Sequence, residues 1–351
     1  MSITAIARPE IRALRSYDAE TTLDDALRLN ANEAPQAPGN GAANGLNRYP
    51  APRPLGLAAK LAALYEVDPE NILVTRGSSE GIDLLVRAFC RHGLDDALVT
   101  PPVFSLYRIY ASVQGAGVVE VPLLDDFELD PDALLAACDE RTKLIFLCSP
   151  NNPTGSIIPR DEILRIVKSR SGKSVVVVDE AYIEFSDTES LAPQVSQFEN
   201  LVVLRTLSKA LALAGARCGS VIASPAVIAL LDAVLAPYAI SAPVISSAES
   251  ALSARQLAAA ESQVRQTIAE RERLSVELAG CKAVERVWPS QANFLLVRFS
   301  DLASVKRHLD AAGIAIRSFE GDQVLQDCAR ITIASQDDND RLLRAIRGLT
   351  C

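Results

Sequence analysis

The sequence predicts an α/β protein, with a mostly parallel seven-stranded sheet between helices and a smaller α+β unit after it. Three observations carry this. Seven short apolar or β-branched runs recur: ILVT at 72–75, ALVT at 97–100, VVEV at 118–121, LIFL at 144–147, VVVVD at 175–179, LVVL at 201–204 and SVIA at 220–223. Helical periodicity separates them, most clearly from Ser79 to Arg91, where Ile82, Leu85, Val86 and Phe89 share a face. After Pro243 the texture changes to a long stretch free of Gly and Pro, then to short alternating strands and helices.

Taken in order, residues 30–55 are rich in Pro, Gly, Asn and Ala and read as loop. An irregular stretch of that length inside a compact protein is more often functional than idle. Those of the seven runs that are continuously apolar suggest strands covered on both faces, and strand–helix alternation is the signature of a parallel sheet. Residues 244–279, rich in Ala, Glu and Arg, read as one long helix. Strands follow at Ala283–Val287 and Phe294–Phe299, a helix at Asp301–Ala312, strands at Ile314–Phe319 and Arg330–Ala334, and a closing helix at Asp337–Leu349. At about 150 residues per domain, 351 residues suggest two. The expected division is a large domain at 49–245 and a small one at 246–351, with the boundary near the long helix. An arm at 1–48 is expected to pack against the small domain.

Composition excludes several classes. The net charge of −9 and pI near 5.0 argue against a nucleic-acid footprint. No apolar run approaches the roughly 18 residues of a membrane span, and no secretory signal is visible. Seven scattered cysteines without a CxxC pair fit free thiols in a reducing cytoplasm. Two histidines, His92 and His308, leave little room for a multi-histidine metal site or a Ser-His-Asp triad. No metal is expected.

Four groups of residues can carry chemistry. Asp179 ends VVVVD at the C-terminal edge of a strand, where open α/β sheets bind ligands. Lys209 follows the next run, in RTLSKALALAGAR; in a partly dry site its pKa falls and it becomes nucleophilic. The plainer alternative is an ion pair at Asp179 and an exposed Lys209. SPNNPTG, Ser149 to Gly155, makes a turn after LIFLC and carries the Asn152 amide over the sheet edge; alone it is only a turn. RGSSEG, Arg76 to Gly81, sets Ser78 and Ser79 at a helix N-terminus, an anion site or simply a cap. Neither a Walker A loop nor a GxGxxG fingerprint is present. Ser208 and Arg217 flank Lys209, and both can reach a phosphate. A phosphorylated aldehyde with a basic ring nitrogen, such as pyridoxal 5′-phosphate, uses all four groups together.

In order and spacing, SPNNPTG, VVVVDEAYIEF and RTLSKALALAGARCG resemble the fold-type I aminotransferases, which depend on pyridoxal 5′-phosphate. LNANEAP at 29–35, RYP at 48–50, RGSSEGIDLLVRAFC at 76–90 and ARITIA at 329–334 extend the resemblance to the histidinol-phosphate group. It implies that Lys209 carries the cofactor covalently and that Asp179 bonds its ring nitrogen. It gives Asn152 and Tyr182 to the ring oxygen, and Ser78, Ser79, Ser208 and Arg217 to the phosphate. Tyr49 would reach the phosphate of a neighbouring subunit, making a homodimer with shared sites. Arg330 would hold the substrate's anionic end, with Arg317, Tyr17 and Asn32 as further substrate contacts. The implied reaction moves an amino group between histidinol phosphate and 2-oxoglutarate, in two half-reactions with ping-pong kinetics.

The chain departs from the family in two places. Phe104 stands in PPVF where the family usually has tyrosine; it can still stack on the ring but lacks the hydroxyl. Ser78-Ser79-Glu80 replaces the usual Ala-Asp-Glu. An aromatic aminotransferase and a phosphothreonine decarboxylase on the same scaffold are the rival enzymes. A regulatory protein that binds the cofactor is a third reading; such proteins generally carry an added DNA-binding domain, and an intact Lys209 speaks against it.

Overall fold

The computed structural model describes residues 2–17, 27–36 and 45–349. Of the stretch read as loop, residues 37–44 lie outside the described residues. The first helix, α1, spans Pro9–Arg12, and α2 spans Leu55–Tyr65. The seven runs then appear as β1 (Ile72–Thr75), β2 (Asp96–Val99), β3 (Gly117–Glu120), β4 (Thr142–Cys148), β5 (Val175–Asp179), β6 (Leu201–Thr206) and β7 (Gly219–Ala223). Helices α3 (Ser78–Phe89), α4 (Leu106–Gln114), α5 (Pro131–Ala137) and α6 (Arg160–Ser169) lie between them, and α7 (Pro225–Val234) follows.

The strand order is β1-β7-β6-β5-β4-β2-β3. All pairings are parallel except those of β7, which runs antiparallel to both β1 and β6. Successive side chains of a strand face opposite sides, and the valines of β5 obey this. Val175 and Val177 join a core under α3, α4 and α7; Val176 and Val178 join the core under α2, α5 and α6. Both faces are covered except along the edge strand β3, where Glu120 is exposed, which is why the inner runs carry no polar alternation.

The N-terminal arm differs from expectation. Ile3, Ala7 and Ile11 belong to the core of the large sheet, beside Leu84, Leu85, Ala88, Val227 and Leu231. The Arg8 N–H donates to Ala88 O (3.0 Å) and its guanidinium to Arg87 O (3.0 Å). An apolar residue every fourth position makes a stripe, and the seam between α3 and α7 is what it covers.

The long helix also differs. It is two helices, α8 (Ala242–Ala251) and α9 (Ala254–Ala279), parted at Leu252 and Ser253. Ser253 is extended (ψ 148°), and its hydroxyl donates to Ser250 O (2.8 Å). Serine competes for backbone partners in this way, so a break arises without Gly or Pro.

The remaining chain forms β8 (Val284–Val287), β9 (Phe294–Phe299), α10 (Leu302–Ala311), β10 (Arg317–Ser318), β11 (Cys328–Thr332) and α11 (Gln336–Arg347). Its antiparallel sheet runs β10-β11-β9-β8. Leu274, Leu278, Leu309, Leu342 and Ile346 pack on Leu295, Val297, Phe299 and Ile331. The small sheet meets the large one where Tyr182 and Phe185 contact Ala292 and Phe294. There the buried Arg271 guanidinium donates to Phe185 O (2.9 Å) and Ala292 O (3.1 Å). That seam brings β11 over the C-terminal edges of β4 and β5.

Candidate active site

Asp179 ends β5 and is 3% exposed. Tyr107 O–H donates to its Oδ2 (2.8 Å) and Ala181 N–H to its Oδ1 (3.1 Å). Burial pushes the carboxyl above its usual range; these two bonds and the Lys209 charge oppose that. Lys209 sits half-buried in the loop after β6, its Nζ 5.4 Å from the centre of the Tyr182 ring. Desolvation, then the Arg330 and Arg217 charges, lower its pKa, against the pull of Asp179. A lysine so placed spends more of its time as the free amine, the nucleophilic form.

The SPNNPTG turn is held by Asn151, whose amide donates to Pro102 O (2.9 Å) and Thr154 Oγ1 (2.8 Å). This leaves Asn152 facing the seam. Its Nδ2 donates to the Tyr182 hydroxyl (3.3 Å), and its Oδ1 accepts from Arg330. Gly155, at φ 79°, permits the small unit to close in: a Cβ there would meet Ser290 Oγ at 2.2 Å. Tyr182 stands edge-on to Phe294 (5.2 Å), and the Arg330 guanidinium lies 5.3 Å from the same ring. Arg317 is directly opposite Arg330 in the β10–β11 pair, so both side chains leave one face of the small sheet. Among the described residues neither arginine has a carboxylate within ion-pair range.

A third group gathers at the start of α3. Glu80 folds back to accept the Arg76 N–H (2.6 Å) and shapes the turn. The first N–H groups of α3, at Ser78 and Ser79, have no acceptor within the helix. Arg217, in the left-handed region at φ 53°, reaches Ser208 Oγ (3.4 Å) and Ser79 Oγ (3.5 Å). Hydroxyls, N–H groups and a guanidinium thus converge at the positive end of a helix, a donor set made for a multiply charged anion. Gly77, at φ 77°, lets Arg217 lie against the backbone: a Cβ would stand 2.7 Å from its Nη2.

The structure therefore brings together Lys209, Asp179, Asn152, Tyr182, Arg330 and Arg317, with Ser79, Ser208 and Arg217 beside them. Phe104 lies next to this group, edge-on to Tyr107 (5.7 Å). Tyr49 and Tyr17 are elsewhere: Tyr49 stacks on Tyr238 (4.7 Å), and Tyr17 meets Tyr238 edge-on (6.3 Å). They are 50% and 60% exposed. Asn32 is exposed and in the left-handed region at φ 54°. Among the described residues no hydrogen bond or ring contact joins these three to the Lys209 group. The sequence reading passed over Tyr107, Tyr238 and Phe294. Tyr107 falls three residues after Phe104, at the start of α4, the only signal it offered.

Comparison with known proteins meets this geometry. A model of the aminotransferase class I and II family matches residues 16–346. The chain belongs to that family. The aminotransferase is 45% identical to the histidinol-phosphate aminotransferase of Xylella fastidiosa strain 9a5c, over 99% of this chain and 97% of that one. It is 47% identical to that of Xanthomonas campestris pv. campestris strain 8004, with the same coverage. Among solved structures it resembles the histidinol-phosphate aminotransferase of Sinorhizobium meliloti in complex with pyridoxal 5′-phosphate (TM-score 0.79, 26% identity, 87% of this chain and 83% of that one). It also resembles the L-threonine-O-3-phosphate decarboxylase of Porphyromonas gingivalis (TM-score 0.75, 25% identity, 87% and 91%). Aminotransferases of this family depend on pyridoxal 5′-phosphate. The residues of this aminotransferase fit that group: an anion cradle at α3, a half-buried amine at Lys209 and a buried carboxylate at Asp179. Among the described residues no acid, cysteine or histidine cluster suits a metal, and no helix is long and apolar enough to cross a membrane.

Proposed function

We propose that this aminotransferase moves an amino group between histidinol phosphate and 2-oxoglutarate, in histidine biosynthesis. The observation that carries the reading is the facing pair Arg317 and Arg330, two guanidinium groups with no acid partner beside Lys209. A site that takes a carboxylate in one half-reaction and a phosphate in the other needs such a pair, because arginine's fork suits both anions. The full-length likeness to curated histidinol-phosphate aminotransferases supports it.

Pyridoxal phosphate, when bound, supplies an aldehyde that takes up the amino group and a ring that spreads the negative charge left on the substrate carbon. Ser78, Ser79, Ser208 and Arg217 hold its phosphate. Asp179 keeps the proton on the ring nitrogen. Asn152 and Tyr182 bond the ring oxygen, and Phe104 covers a ring face. Lys209 Nζ would act as the base that takes the proton from the substrate carbon, which requires a neutral amine. Arg330 anchors the carboxylate or phosphate, and Arg317 adds to the phosphate, with Tyr17 and Asn32 as further contacts. Tyr49 serves the neighbouring subunit of a cytoplasmic homodimer. In domain terms, 49–245 carries the cofactor and 246–351 brings the substrate arginines. The packing of Ile3, Ala7 and Ile11 supports grouping the start of the arm with the large domain.

A substrate panel tests the reading. Histidinol phosphate, phenylalanine, tyrosine and phosphothreonine are compared with 2-oxoglutarate as acceptor. Histidinol phosphate should give the highest kcat/KM. A higher value for phenylalanine or tyrosine, or release of carbon dioxide from phosphothreonine, overturns it.

A further inference from the structure

We propose that Tyr107 is a positioning residue for Asp179, its phenol O–H orienting the carboxylate and holding it in the charged form. The proposal rests on the reading of Asp179 as the partner of the cofactor's ring nitrogen. Tyr107 is fully buried in α4, stacked on Phe146 (4.7 Å, 7° between planes) and edge-on to Phe104. Phenylalanine would fill that place without burying a hydroxyl, and an unpartnered buried hydroxyl is costly. Among the described residues the hydroxyl donates to Asp179 Oδ2 at 2.8 Å. The opposite oxygen is taken by Ala181 N–H (3.1 Å), so one donor on each oxygen fixes the plane of the carboxylate.

The neighbourhood makes this bond matter. The groups facing Asp179 are Tyr107 from α4, Cys148 from β4, Tyr182 and Lys209. Lys209 is the single cation among them, and it must lose its proton to work. Burial, then the nearby Asp179 charge, pushes the Tyr107 phenol well above its ordinary pKa, so it stays an O–H donor at any working pH. The Cys148 thiol is likewise raised to about 12 by burial and by Asp179, and stays neutral. Tyr107 is then the side chain that stabilises a negative Asp179 throughout the cycle, whatever the state of Lys209.

The test is the affinity for pyridoxal phosphate as a function of pH, measured on wild type, Tyr107→Phe, Asp179→Asn and the double variant. Tyr107→Phe keeps the ring and its stack. It should weaken binding about tenfold, the loss of one hydrogen bond to a charged group. The pH at which affinity falls on acidification should rise by about one unit, because Asp179 then protonates more readily. In the Asp179→Asn background the same substitution should have little effect. An unmoved pH midpoint, or an equal loss in both backgrounds, would reduce Tyr107 to packing and overturn the proposal. Unchanged affinity in Asp179→Asn itself would instead sink the reading of Asp179, and this inference with it.

Discussion

Gly77→Ala should disable the anion cradle while leaving both sheets intact. Gly77 has φ 77° and ψ 166°, a region that is essentially glycine's alone and costs other residues about 1–3 kcal/mol. The added Cβ would stand 2.7 Å from Arg217 Nη2, and ordinary contact begins at 3.4 Å, so the guanidinium must retreat by roughly 0.7 Å. Its contacts to Ser79 and Ser208 are already 3.5 and 3.4 Å and do not survive that shift. A bond from arginine to phosphate is worth about 1.5–3 kcal/mol, so affinity for pyridoxal phosphate should fall about 10- to 100-fold. Titration of the apo-protein with the cofactor measures this, and urea unfolding of the same samples measures the backbone strain separately. Arg217→Ala should cause a similar loss of affinity, and the double variant should be no worse than Arg217→Ala alone. Wild-type affinity in Gly77→Ala, or simple additivity of the two, would refute the argument that the clash acts through Arg217.

In the cofactor-free protein Lys209 should react with a limiting amine reagent near neutral pH ahead of surface lysines such as Lys60, because a lowered pKa leaves more free amine; Arg330→Ala removes a cation that lowers it and should slow the labelling. Peptide mapping reads both effects, and labelling of Lys209 no faster than Lys60 counts against the dry site. Arg317→Ala should cut kcat/KM for histidinol phosphate about 10- to 100-fold and spare the glutamate half-reaction, whereas Arg330→Ala should harm both. Stopped-flow measurement of each half separates them, and equal losses for Arg317→Ala would remove its role at the phosphate. Arg205→Met should destabilise the protein by about 3–5 kcal/mol at neutral pH, because it leaves buried Glu180 without its cation. Burial already raises the Glu180 pKa, so the penalty exists above the ordinary carboxylate range and shrinks as acid protonates Glu180. Urea unfolding at several pH values checks the size and the trend.

The strands of the large sheet were legible because most are dense apolar runs buried on two faces, the edge strand β3 being only half-buried, and the seven strands of that sheet fall on the seven runs. Strand direction was not legible. SVIA reads the same in either sense, and only the sheet shows that β7 is antiparallel. The break at Ser253 was missed because serine fits either a helix or a cap, and local hydrogen bonding decided it. The arm's partner was missed because an apolar stripe specifies that it must be covered, and not by what. In the site, Lys209, Asp179 and Asn152 could be found from their places at strand ends. Tyr107 could not, since a tyrosine within an amphipathic helix looks like core until its hydroxyl is seen on Asp179. Tyr17 and Tyr49 belong together around Tyr238, a grouping no spacing in the sequence announces.

The reversed strand β7 has a consequence for how the protein matures. Ser79 and Arg217 are 138 residues apart along the chain, yet they meet because β7 lies between β6 and β1. The cradle is therefore a non-local feature, and it exists only once the first and last strands of the large sheet have found each other. A chain still emerging during synthesis, or one halted before β7 docks, has no place to keep a phosphate. Cofactor capture thus becomes a late checkpoint of assembly. Once made, it clasps two distant stretches of chain and raises resistance to unfolding in step with the cofactor concentration.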